Sequence, residues 1–179
     1  MVLGEEVITP AKQIYLINLD FETLRLLQSD TDQFCTEHGV SIGNNSAILL
    51  DVVAQTTRLM TAVGGDPKWF GYLTIDTSTK MIIGTCAFKG PPSGGGNVEI
   101  AYFTFPEFEK NGYATAMASA LVDIASKSEA VRRIIAHTLP ESNASTKILQ
   151  RIGMSFIGEV VDPEDGRVWR WALDKAPQS

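Results

Sequence analysis

The sequence predicts a mixed α/β fold with a central sheet of about six or seven strands. Three observations predict it. Apolar residues recur at helical spacing over 46–63 and 112–128. Short runs rich in β-branched and aromatic residues, bounded by Gly, Pro, Asn and Asp, stand between and beyond those helices. After residue 97 strand and helix alternate, which is the order of elements that cover a sheet with helices.

The first strand is Ile14 to Ile17, and a short helix over 19–29 follows Asp20 with its Leu24, Leu26, Leu27 cluster. A second helical stretch is best developed from Ser46 to Val63, where Leu49, Val52, Val53, Thr56, Met60 and Val63 form one stripe. Gly64-Gly65-Asp66-Pro67 ends it. Trp69 to Asp76 and Met81 to Lys89 read as a hairpin, and the loop Gly90 to Gly96 leads to a strand at 97–105, which gives an antiparallel meander. Pro106 stops that strand, and Tyr113, Met117, Ala120, Leu121 and Ile124 mark the helix that follows. Arg133 to Leu139 is the next strand. The last helix runs from Asn143 to Ile152 and is closed by Gly153. Phe156 to Val161 and Arg167 to Leu173 form a final hairpin around Pro163-Glu164-Asp165-Gly166.

A chain of 179 residues that is 44% hydrophobic suits one buried core, so 1–179 reads as a single domain. No apolar run approaches the roughly 20 residues of a membrane span, and the first ten residues lack a signal-peptide core. The expectation is a cytoplasmic protein with no membrane partner. Cys35 and Cys86 lie far apart without a CxxC or Cys/His cluster, which points away from a metal site and a disulfide framework. A formal charge of -6 argues against nucleic acid as a partner.

The most informative stretch is Glu99 to Thr115, where a strand turns into the N-terminus of a helix. Gly112 and Ala114 are small, so a phosphate can approach unpaired backbone N–H groups that the helix dipole also favours. A P-loop is not present, because no Gly-x4-Gly-Lys-Ser/Thr occurs. A dinucleotide fingerprint needs three spaced glycines, and this turn has one. Val98-Glu99-Ile100-Ala101-Tyr102 and the turn with Gly112 and Ala114 do resemble the Val-Glu-Ile-Gly-Tyr strand and Arg/Gln-x-x-Gly-x-Gly/Ala turn of the GNAT acyl-CoA-dependent N-acyltransferases. The likeness is greatest to the branch that includes ribosomal-protein N-terminal acetyltransferases. Ile83-Gly84, Phe88 to Pro92 and Pro140 to Met154 extend it over about Trp69 to Phe156. One position departs: Glu109 stands where the family prefers Arg or Gln, and an acid beside a pyrophosphate is repulsive.

The resemblance implies a GNAT fold, with the sheet splayed between the strands at 97–105 and 133–139, and acetyl-CoA as co-substrate. Its pantetheine arm would bond the backbone of Tyr102, Phe103, Thr104 and Phe105, in effect as an added strand, and a bulge there would turn an N–H toward the thioester. The pyrophosphate would meet the backbone of Lys110, Asn111, Gly112, Tyr113, Ala114 and Thr115. Lys110 either adds charge or is a solvated loop lysine. Glu99 is either the base that takes the amine proton or a glutamate on a polar sheet face. Ser145 either donates a proton to the departing sulfur or caps a helix, and Asn143 either bonds the pantetheine or caps. Leu149 occupies the position where many relatives carry a tyrosine, which shifts weight to Ser145 or water as the acid. Glu141, Asp123 and His137 are weaker candidates. Trp69, Trp169 and Trp171 read as core or acceptor-site walls.

The expected function is N-acetyl transfer to a small-molecule or peptide amine; the alternative is an acyl-CoA-binding sensor without turnover. The acceptor would sit under the first helices, 20–66, where Asp20, Glu22, Asp30, Asp32, Glu37, Asp51 and Asp66 face only Arg25 and Arg58. That balance suits a cationic acceptor, or simply a solvated helix face.

Overall fold

The computed structural model describes residues 6–8 and 12–176. Their strands form one sheet. In chain order they are β1 (Glu6–Ile8), β2 (Gln13–Asn18), β3 (Gly71–Asp76), β4 (Ile82–Phe88), β5 (Asn97–Thr104), β6 (Arg133–Thr138), β7 (Ser155–Asp162) and β8 (Gly166–Asp174). They lie side by side as β1-β2-β3-β4-β5-β6-β8-β7. The seven strands expected from periodicity are all present, and the three-residue β1 adds an eighth at the edge. Pairing is antiparallel everywhere except between β5 and β6.

The five helices are α1 (Phe21–Ser29), α2 (Thr31–His38), α3 (Ser46–Val63), α4 (Tyr113–Ser126) and α5 (Ala144–Arg151). Local capping sets most of their ends. The Asp20 carboxylate accepts from the Thr23 N–H, and the Asp30 carboxylate accepts from the Gln33 N–H. The second cap explains why α2 begins as a separate helix. Asn143 and Thr146 form a reciprocal capping box at the start of α5. Helix α4 crosses from β5 to the parallel β6 and lays Ala116, Met117, Ala120 and Leu121 on the sheet, all fully buried. Its run of small residues lets the helix approach the strands closely.

Two features of the sheet position everything that follows. Gly84 on β4 lies opposite Thr104, and a Cβ there would stand 2.3 Å from the Phe103 carbonyl oxygen, so only glycine permits β5 to lie this close. On its other side β5 pairs with β6 only through Asn97↔Arg133, Val98↔Ile134 and Glu99↔Ile135. Beyond Glu99 the two strands part, although β5 continues to Thr104 and β6 to Thr138. The splay expected between these strands therefore opens after Glu99.

Candidate active site

Backbone alternation decides what β5 presents to the opening. The Lys89 N–H bonds the Glu99 carbonyl, and the Phe105 N–H bonds Ile83, so odd-numbered residues of β5 turn their backbone groups toward β4. The even-numbered Ile100, Tyr102 and Thr104 then turn theirs toward the splay. Register with β4 is unbroken from Phe88↔Ile100 to Gly84↔Thr104. No bulge is needed, because the parting of β5 from β6 does what a bulge would have done. Of the four strand residues expected to contact a pantetheine, Tyr102 and Thr104 have the right orientation. Phe103 and Phe105 do not: the Phe103 ring lines an adjoining cavity, and the Phe105 ring is fully buried. The Thr104 hydroxyl is buried and has no hydrogen-bond partner among the described residues.

At the end of β5, Pro106–Phe108 form a 3-10 turn, and the chain reaches α4 through Lys110 and Gly112, both left-handed at φ 61° and 84°. The Asn111 side chain donates to the Phe108 and Glu109 carbonyls and so closes the turn from within. No side chain caps α4. Its first helical bond is from the Ala116 N–H to the Gly112 carbonyl, which leaves the N–H groups of Tyr113, Ala114 and Thr115 without helical partners. Such an end is suited to a phosphate. Tyr113 meets it only with backbone, because its hydroxyl donates to the buried Asp76 carboxylate at 2.7 Å. Lys110 and Glu109 are both exposed beside the turn.

A cavity of about 360 Å³ occupies the splay, with Glu99, Tyr102, His137 and Ser145 among its walls. Glu99 is held there by groups that the sequence did not join. One carboxylate oxygen, Oε1, is 2.8 Å from Lys89 Nζ and 2.8 Å from His137 Nδ1. Arg170 Nε donates to His137 Nε2 at 2.9 Å. With Nε2 accepting, the imidazole hydrogen of the neutral ring lies on Nδ1 and is donated to Glu99. Burial pulls the Lys89 ammonium down, but its hydrogen bond and charge contact with Glu99, helped by Asp162 and Asp165, outweigh burial and leave it above its usual range. The second carboxylate oxygen, Oε2, makes no hydrogen bond among the described residues. Lys89 sits opposite Glu99 across the β4–β5 ladder, and His137 sits opposite Arg170 across β6–β8. Pairing register was the signal for this network, and register cannot be read from β5 alone.

Tyr102 and Ser145 both line this cavity. Burial pushes the Tyr102 phenol up to about 12, and the neighbouring Ser145 hydroxyl lowers it in part. Leu149 is fully buried. Tyr102 thus brings a phenol to this cavity as well as strand backbone. Asn143 engages its Oδ1 with the Thr146 N–H, which is the capping use, and leaves its Nδ2 donor available. Glu141 and Asp123 are exposed. Trp69 and Trp171 are core residues, and Trp171 donates to Thr138.

None of the seven acids of 20–66 lines this cavity or its neighbour. Asp20, Asp30 and Asp66 accept backbone N–H groups as caps, and Glu22, Asp32, Glu37 and Asp51 are exposed. The acidic balance of the first helices is therefore a matter of caps and solvated faces. Among the described residues no group of His, Cys, Asp and Glu could hold a metal ion, and no helix is long and apolar enough to cross a membrane.

The architecture recurs in solved structures. RimJ of Mycobacterium smegmatis, solved with a CoA disulfide, superposes with a TM-score of 0.66 at 16% identity, over 98% of this chain and 90% of that one. A GNAT-family acetyltransferase from Bacillus anthracis gives 0.59 at 18% identity, over 96% of each chain. Spermidine N-acetyltransferase of Vibrio cholerae, solved with CoA and spermine, gives 0.61 at 15%, over 90% of this chain and 95% of that one. No curated protein matches the chain. The acetyltransferase (GNAT) domain profile matches residues 20–155, about three quarters of the sequence, and the chain belongs to that family.

Proposed function

We propose that the protein, taken as one domain over 1–179, transfers an acetyl group from acetyl-CoA to a primary amine by direct attack. The observation that carries this reading is one cavity, at the place where β5 and β6 part, with the Glu99 carboxylate, the Tyr102 phenol and the Ser145 hydroxyl among its walls. Acetyl-CoA supplies the activated acyl group as a thioester. Tyr102 and Thr104 offer backbone groups to its pantetheine, Asn143 offers its Nδ2, and the uncapped start of α4 at Gly112 to Thr115 takes the pyrophosphate.

Glu99 is the base. Lys89 and His137 anchor Oε1, so Oε2 is the oxygen that receives the amine proton, directly or through one water. The new C–N bond forms as the C–S bond breaks, and the departing thiolate takes a proton from Ser145; Ser145 regains a proton from solvent and Glu99 releases the amine proton to it. Holding both reactants in the splay supplies proximity and orientation. The working compartment of this reading is the cytoplasm, where acetyl-CoA is made and used.

Acetyl-CoA should raise the melting temperature of the wild type, because a ligand that binds only the folded state stabilises it by mass action. Gly112→Asp adds a Cβ and a charge at the left-handed position facing the phosphates, so it should abolish that shift. Thiol release with a panel of amines then separates an enzyme from a sensor, which would bind acetyl-CoA and release no thiol. Equal protection of a folded Gly112→Asp variant would remove the phosphate site from this reading.

A further inference from the structure

A second cavity, of about 340 Å³, lies beside the splay between α3 and the strands β3, β4 and β5. The two cavities share Lys89, Ala101 and Tyr102 as walls, so a molecule with its amine at Glu99 can extend its body into the second. The character of that space is unusual for a site that receives an amine. Val52, Leu59, Cys86, Phe88 and Phe103 give it an apolar lining, with Gln55 at its polar margin, and no acidic side chain borders it. Its one charged residue is Lys89, whose ammonium is already paired with Glu99.

A second cationic centre on the acceptor would therefore leave water without meeting a carboxylate, and it would approach a like charge at Lys89. Both effects oppose it. An uncharged apolar body would instead gain from contact with Val52, Leu59 and Phe103. The size is that of a small-molecule site and suits a single ring on a short alkyl chain. We infer that the acceptor is a primary amine carried on an uncharged, apolar body, of the arylalkylamine class, and that polyamines are disfavoured. The inference rests on the acetyltransferase reading for the position of the amine. The likeness in fold to a spermidine N-acetyltransferase does not bear against it, since acceptor choice resides in the lining of the site.

Thiol release should be measured with acetyl-CoA and, in parallel, phenethylamine, spermidine and a tetrapeptide beginning with Phe. The expected result is a kcat/KM at least tenfold higher for phenethylamine than for spermidine. Gln55 is exposed on α3, so Gln55→Glu should leave the fold intact while placing a carboxylate at the margin. It should lower the phenethylamine-to-spermidine ratio by about tenfold or more. A wild type that prefers spermidine, or a ratio unmoved by Gln55→Glu, overturns the inference while acetyl transfer itself stands. Peptide turnover above that of phenethylamine assigns the opening to a protein N-terminus and overturns the small-amine class. Should no amine release thiol, the catalytic reading falls, and calorimetry on the CoA-saturated protein decides the acceptor question separately. Phenethylamine binding at least tenfold tighter than spermidine there supports the inference, and equal or weaker binding overturns it.

Discussion

Glu99→Gln keeps the size and planarity of the side chain and removes its charge, so it separates what the carboxylate does for the fold from what it does for the reaction. The amide oxygen can still accept from His137 Nδ1, so the ring should stay in place. Lys89 loses a carboxylate. The two side chains are 43% and 25% exposed, and solvent screens a pair of this kind to about 0.5–1 kcal/mol. The melting temperature should therefore fall by about 1–4 °C for a chain of this length. Loss of a general base costs roughly 10² to 10⁴ in rate, or about 2.7–5.5 kcal/mol of barrier. The catalytic effect should thus exceed the structural one several-fold. Thiol release across pH reads the first, a thermal melt the second, and acetyl-CoA binding should be unchanged. The acidic limb of the kcat/KM profile should disappear with the carboxylate. Activity within a few-fold of wild type at every pH would mean that water takes the proton, and Glu99 would be a structural partner of Lys89 and His137.

Four further outcomes follow from the same geometry. Arg170→Met frees His137 Nε2, so the ring hydrogen is no longer confined to Nδ1; kcat should fall about tenfold, the value of one hydrogen bond, with the KM for acetyl-CoA unchanged and Arg170→Lys retaining more activity. Ser145→Ala should lower kcat more than Tyr102→Phe, because Ser145 is the proposed acid; the reverse order in steady-state assays would reassign the acid to Tyr102. Glu109→Arg removes an acid and adds a base beside the turn, so calorimetry should show acetyl-CoA binding several-fold tighter at low salt, with the gain shrinking as salt is raised. Burial alone would raise Asp76, yet the bonds from Ser78, Tyr113 and Thr79 outweigh it and hold Asp76 well below the usual carboxylate range. Its folded pKa is depressed, so the stabilisation is complete above the unfolded value of about 4 and is lost as pH falls below it. Tyr113→Phe should cost about 1.5–3 kcal/mol at neutral pH, and chemical denaturation should show the gap to wild type closing on the acid side.

Much of the fold was legible because its signals are local. The apolar stripe of α3 coincides with the helix from Ser46 to Val63, and the turn chemistry at Gly64, Pro106 and Gly153 stops elements where it should. The end of α1 at Ser29 was legible, but the separate helix α2 was not foreseen, since it depends on one carboxylate, that of Asp30, capping a helix whose apolar content is low. Strand β1 was missed because three residues carry too little pattern to stand out. The hairpin Trp69 to Lys89 was placed correctly in outline, but its first residues belong to a 3-10 turn started by Pro67 and capped by Asp66.

The site divides along the same line between local and non-local information. The turn at Gly112 is a contiguous stretch, and its uncapped helix and left-handed glycine are what the letters suggest. Glu99, by contrast, owes its surroundings to three other strands. Lys89 reaches it through the β4–β5 register, His137 through the parallel step to β6, and Arg170 through the antiparallel partner of β6. Each contact depends on a pairing offset, and a shift of one residue would send the side chain to the opposite face. The same reasoning explains why the acidic balance of the first helices left a cationic acceptor and a solvated face both open. Net charge along a segment says nothing of which side chains face inward, and in α3 it is Val52, Gln55, Thr56 and Leu59 that do so at the cavity while Asp51 remains in solvent. On the acceptor inference above, specificity follows the periodicity of α3 rather than its charge. A substitution at Gln55 or Leu59 should move specificity more than one at Asp51, which measurement of kcat/KM for phenethylamine and spermidine on Asp51→Asn beside Gln55→Glu would decide.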